Sequence, residues 1–155
     1  MRFLKFVISI SICFLPGVIG GIATSQSLYP WYDILNKPFF TPPDWIFSPV
    51  WTVLYILMGI SLYFVLIKPI NLTNKTRGLA FFGTQLALNA IWPIVFFGFH
   101  LIFGGLVLIL ALFFFIALSF LEFYKISKPA AYLLIPYLLW VGFAAILNFS
   151  IFAFN

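Results

Sequence analysis

Charge is what this sequence has least of. Only 7% of its 155 residues are charged, and three of those are acidic, while 65% are apolar. A soluble domain carries about a quarter charged residues. Eight basic and three acidic side chains cannot cover a water-facing surface of this size. A soluble enzyme and a disordered tail are therefore excluded. The net charge of +5 does not make a nucleic-acid binder either, because the basic residues sit singly at the ends of apolar runs and form no patch. Sulfur and imidazole are scarcer still. Cys13 stands alone, so no internal disulfide can form, and with only His100 beside it a Cys/His metal site lacks ligands. No metal is expected. No Asp, Lys, Arg or His falls in the interior of an apolar run, and Glu122 lies at an end. A proton-coupled transporter needs such a group. No Ser/His/Asp set, phosphate-cradling glycine loop or carboxylate pair is present, so conventional hydrolysis or group transfer is not expected.

What remains is abundant: aromatics make up 22% of the chain, with 22 Phe, 7 Tyr and 5 Trp. Crossing about 30 Å of hydrocarbon takes roughly 20 apolar residues in a helix. Five such runs occur, at about 6–28, 46–67, 79–99, 102–122 and 130–153. Stretches such as LVLILALFFFIAL (106–118) show none of the alternation of a β-barrel strand. The fold class predicted is an all-α membrane protein, a single domain of five transmembrane helices over 1–155. The N-terminal run starts basic and has small residues near Ala23, like a signal peptide, but its apolar stretch is longer than such a segment needs. It reads as the first span.

The connections set an orientation. Residues 29–45 form the only long loop, rich in proline and aromatics, and carry only Lys37. The other seven basic residues all fall at the N-terminus or in the second and fourth loops. That bias places the N-terminus in the cytoplasm, with the first loop and the C-terminus outside. The expected location is a cell membrane. Two N-glycosylation patterns at 71–76 then fall on the cytoplasmic side and count as chance.

Helical faces follow from 100° per residue. Trp51, Tyr55, Met58 and Leu62 lie within about 60° of one another; Gln85, Asn89 and Trp92 share a second narrow arc; Tyr137, Trp140, Ala144 and Asn148 fall within about 80°. All three faces mix rings with polar groups at similar depth, beneath a loop carrying Trp31, Tyr32, Pro42, Pro43 and Trp45. An aromatic-walled cavity in the outer half of the bundle is expected, roofed by a lid. It suits a flat, largely apolar ligand with a few polar groups. Ser48 and Pro49 read as N-cap and first turn of the second helix, and Pro93 and Pro136 as kinks or helix starts. On the opposite face of the third helix, Ala80, Gly83, Ala87 and Ala90 form a small-residue stripe that would let a fourth-helix neighbour or a second copy pack closely, and a homodimer through this helix is expected. Gly17 and Gly21 form a second small pair.

Four motifs in order, W-Y-x-x-L-x-K-P-x-x-x-P-P (31–43), P-V-W-T-x-L-Y-x-L-M-G (49–59), G-T-Q-L-A-L-N-x-x-W-P-x-x-F-F-G (83–98) and P-Y-L-x-W-x-x-F-A-x-x-L-N (136–148), resemble the TspO/translocator protein family. The resemblance implies a five-helix bundle, commonly dimeric, that binds tetrapyrroles such as protoporphyrin IX or haem as ligand and holds no tight cofactor. Animal members bind cholesterol and isoquinoline or benzodiazepine drugs. Pocket residues of the family match Trp51, Tyr55, Asn89, Trp92, Trp140 and Ala144. Some bacterial members degrade porphyrin in light, and the two tryptophans implicated match Trp51 and Trp140. The family reading is thus a receptor or sensor, with transport or photodegradation as alternatives. Two departures stand out. Gly104 and Leu108 occupy positions where many members have Trp and an acidic residue. From Phe149 onward neither Tyr nor a basic residue completes a sterol-binding pattern. The first departure implies a pocket wall of different shape and polarity, and the second argues against sterol as the native ligand. An Ile/Phe/Asn-rich chain with no acidic fourth-helix residue resembles prokaryotic members more than animal ones.

Overall fold

A computed structural model describes residues 1–25 and 28–155. Its helices are α1 (Arg2–Ser25), α2 (Asp44–Ile67), α3 (Leu72–Pro93), α4 (Ile102–Ile126), α5 (Lys128–Tyr132) and α6 (Ile135–Phe154), and the described residues contain no strand. Two π-helical turns, Leu28–Tyr32 and Ile94–Gly98, open the first loop and close the third span. Among the described residues, five stretches are long and apolar enough to cross a bilayer: Arg2–Ser25, Asp44–Ile67, Lys75–Gly98, Ile102–Ile126 and Lys128–Phe154.

The boundaries differ from the sequence reading where polarity misleads. The third helix begins at Leu72, two turns before the expected 79, so the polar loop shrinks to 68–71. Hydropathy marks only the part of a helix inside hydrocarbon, and nothing in LTNKTRG forbids helix beyond it. Ser48 is not a cap: α2 starts at Asp44, and Pro49 lies inside it. The missing Pro49 N–H releases the carbonyl of Trp45, near the helix start, where little is lost. The last span is broken. Pro136 has no N–H for the carbonyl of Tyr132 and its ring crowds that group, so α5 ends there and α6 restarts after the turn at 133–134.

The spans form a ring in the order α2, α1, α3, α4, α6. Large side chains such as Leu110, Phe114, Leu139 and Ile146 face outward, as lipid-facing positions do, while Met58, Val65, Ile116, Tyr137 and Val141 are wholly enclosed. Close approaches are made by small residues. A Cβ on Gly20 would meet Pro93 of α3, and one on Gly17 would meet the Tyr55 ring. The packing pair of α1 is therefore Gly17 and Gly20; Gly21, expected to pair with Gly17, has open space around its Cβ position.

The two ends differ in charge. Lys75 aims its ammonium at the carbonyls of Lys68 (2.6 Å) and Leu66 (3.4 Å), and Lys5 reaches Leu66 at 3.5 Å. Cations so placed satisfy the carbonyl end of α2. Arg77 and Lys125 at the same end both contact Glu122, at 3.5 and 2.9 Å. At the other end Lys37 pairs with Asp33 (3.8 Å) and lies over the Tyr32 ring at 4.2 Å. The first loop is fastened there to the end of α6. The Asn36 amide donates to Asn155 Oδ1 (3.0 Å), Asn36 Nδ2 to the Phe154 carbonyl (3.3 Å), and Asn155 Nδ2 to the Asn36 carbonyl (3.0 Å).

A candidate ligand cavity beneath the first loop

All five spans contribute to one cavity of about 520 Å³ under the first loop. Phe47, Trp51 and Tyr55 repeat every four residues along one face of α2, which turns that face inward for two full turns. Asn89 and Trp92 come from α3, Ile109 and Leu112 from α4, Trp140, Ala144 and Asn148 from α6, Phe14, Gly17 and Gly21 from α1, and Tyr32 from the loop. The glycines matter as wall: lacking side chains, they leave room where α1 passes.

The floor is a closed polar network. Tyr55 Oη donates to Asn89 Oδ1 (2.9 Å), Asn89 Nδ2 donates to Tyr137 Oη (2.7 Å), and Tyr137 Oη donates to Gln85 Oε1 (2.7 Å). Gln85 Nε2 completes it against the sulfur of Met58 at 3.9 Å. Buried amides without such partners would cost about 1–3 kcal/mol each. Above the floor, Trp51 stacks on Tyr55 with centroids 5.6 Å apart and 27° between planes. Trp92 stacks on Phe96 (5.1 Å, 14°) and donates from Nε1 to Asn148 Oδ1 at 3.2 Å, while Asn148 Nδ2 reaches the Ile102 carbonyl at 3.3 Å. Trp140 lies between Phe47 and Phe143 (5.9 and 5.6 Å), and its Nε1 is buried with no hydrogen-bond partner among the described residues. At the rim, burial and then the Asp44 carboxylate push the Tyr32 phenol up to about 12, so it remains an O–H donor through the neutral range. Rings for stacking, amides for orientation and one unused indole N–H together suit a flat apolar molecule with polar handles.

Of the expected ligand-contacting residues, Tyr32, Trp51, Tyr55, Asn89, Trp92, Trp140, Ala144 and Asn148 line this cavity. Gln85 and Tyr137 do not. They lie one layer behind, 1% and 0% exposed, holding Asn89 in place. Trp31 stands outside the lining as well, stacked on His100 at 4.4 Å and edge-on to Phe96 at 5.5 Å. Gly104 and Leu108, the fourth-helix departures, are off the lining; Ile109 and Leu112 supply that wall. Sequence reasoning missed Phe47, although it lies one turn before Trp51 on the same face. It also missed Phe96, although it lies one turn after Trp92 on the same arc, and the α1 wall, where glycine offers no polar or aromatic signal. Among the described residues no cluster of three His, Cys, Asp or Glu could hold a metal ion. The small stripe of α3 faces outward, with Ala80, Gly83 and Ala87 exposed and Ala90 partly so.

Comparison with known proteins matches residues 9–154 to the family model described as TspO/MBR family. The chain is 45% identical to the tryptophan-rich protein TspO of Archaeoglobus fulgidus over 155 residues, covering 100% of this chain and 99% of the relative. It is 42% identical to the protein of the same name from Chlorobaculum tepidum, covering 99% and 98%. To the human translocator protein it is 38% identical over 126 residues, covering 81% and 75%.

Proposed function

The chain belongs to the TspO/MBR family, and on that footing we propose that it is a membrane receptor for porphyrin-type tetrapyrroles such as protoporphyrin IX, bound beneath the first loop. One observation carries the reading: a cavity of about 520 Å³ whose walls are aromatic rings and whose polar groups are gathered at floor and rim. That volume falls within the roughly 300–1,000 Å³ typical of small-molecule sites. Trp51, Trp92 and Trp140 would stack on the macrocycle, and Asn89, Asn148, Thr52 and the free Trp140 N–H would meet its polar edge. Coupled pumping has no support, because no Asp, Lys, Arg or His lies in the interior of an apolar run to drive it.

Two features of the assembly follow the same reading. The seven cations gathered at one end favour a cytoplasmic N-terminus, with the lid and C-terminus outside. The outward-facing stripe of Ala80, Gly83 and Ala87 favours a homodimer through α3.

The test is intrinsic tryptophan fluorescence of the purified protein, titrated with protoporphyrin IX in the dark. Saturable quenching is expected, with affinity falling about two- to tenfold in Trp140→Phe, the equivalent of roughly 0.5–1.5 kcal/mol of aromatic contact. Linear quenching identical in both proteins would overturn the proposal.

A further inference from the structure

Trp140 stands between two spaces. It lines the cavity, and it also lines a second hollow of about 570 Å³ on the outside of the bundle, between α2 and α6. The outer hollow is walled by Pro49, Val53, Leu57 and Leu139, with Val53 54% and Leu139 69% exposed. It lies within the spans, so its mouth opens to lipid.

This seam is the loosest join in the ring. At the inner end the Ser61 hydroxyl donates to the Ala130 carbonyl at 2.7 Å, tying α2 to α5. Past the break at 133–134, the α2 and α6 backbones stand apart, and the seam is bridged by ring contacts, Phe47 on Trp140 at 5.9 Å and Trp51 on Tyr137 at 6.2 Å. Proline interrupts the backbone ladder of both helices beside the groove, at Pro49 and Pro136. The Trp140 ring is held by packing alone, since its Nε1 bonds to nothing among the described residues. Swinging it breaks no hydrogen bond. The roof, by contrast, is tied down through the three Asn36–Asn155 and Asn36–Phe154 bonds. We infer that a flat apolar ligand dissolved in the bilayer enters and leaves the cavity sideways, through the α2–α6 seam, with Trp140 as the door. The inference rests on the receptor reading above and adds the route.

A residue on the route but outside the site alters the barrier and not the bound state, so it changes both rates by one factor and leaves Kd alone. The experiment reads energy transfer from tryptophan to protoporphyrin IX, after mixing lipid nanodiscs holding the full chain with vesicles carrying the porphyrin. Val53→Phe combined with Leu139→Phe fills the groove from its lipid side. Association and dissociation should both slow by about tenfold, little more than 1.4 kcal/mol at the barrier, with Kd unchanged. Leu110→Phe, on the lipid face of α4, and Asn36→Ala with Asn155→Ala, in the roof, should leave both rates within about twofold. Thermal melting establishes that each variant is folded. Unchanged rates in the groove variant, or faster exchange when the roof is unfastened, would overturn the lateral route and leave the receptor standing. A Kd that shifts with the groove substitutions would make the groove part of the site and overturn it equally. No saturable binding by the unsubstituted chain would remove the receptor reading and the route together.

Discussion

Tyr137 works through a single hydroxyl that both accepts and donates, from Asn89 Nδ2 and to Gln85 Oε1, each at 2.7 Å. Removing it orphans an amide hydrogen and an amide oxygen in a wholly buried place. Tyr137→Phe should therefore destabilise the bundle by about 1–3 kcal/mol, read as a fall of several degrees in Tm in detergent. Because Tyr137 lies behind the lining and not on it, the affinity for protoporphyrin IX should fall by less than about threefold. A melting temperature equal to that of the unsubstituted protein would mean the network contributes nothing net. Sequence alone placed Tyr137 and Gln85 on the same inward faces as Trp140 and Asn89, which is correct for direction. It could not separate the layer that touches the cavity from the layer that supports it, because depth along a side chain has no periodicity.

At the scale of elements, α1 and α2 meet at Gly59. A Cβ there would fall 2.9 Å from the Ile10 Cα, and a backbone atom cannot move aside as a side-chain tip can. Gly59→Ala should push the two helices apart and cost about 1–3 kcal/mol as overpacking, visible as a lowered Tm. Circular dichroism should show the helices otherwise intact. The five spans themselves were legible as apolar runs, and their existence and order match the structure. Their ends were less so. Leu72 starts α3 in a polar stretch, because a helix continues past the hydrocarbon wherever its backbone is free to. The break before Pro136 was visible as a proline but not as a division of the last span into α5 and α6. The turn at Ile94–Gly98 follows a proline too, and the reversal between α3 and α4 at His100, with a φ of 58°, left no mark in the hydropathy. Gly17 and Gly20 were readable as small residues, but their partners lie across the bundle and only the packing names them.

For the whole molecule, polarity runs end to end, and the outward face is large and apolar round the ring, with small residues along the α3 stripe. Nothing lies within 4 Å of a Cβ built on Gly83. Gly83→Leu should accordingly leave the unfolding temperature of a protomer unchanged, while abolishing a dimer built through this face. Mass photometry in detergent would show dimers giving way to single chains; persistence of dimers in the variant would exclude α3 as the interface. The ring order α2, α1, α3, α4, α6 has a further effect. The second and last spans must meet to close it, so the cavity has no complete wall until the chain has threaded every other span.

That closure has a consequence in time. The loop bonds to Phe154 and Asn155 join positions 118 and 119 residues apart in the chain, and the partner group for Asn36 follows the last helix. Through synthesis and insertion the loop must wait, unfastened, over a half-built vessel. The roof can be fastened only after the last helix is in place, so a molecule dissolved in the membrane while the chain is being made meets an open bowl before it meets a closed one.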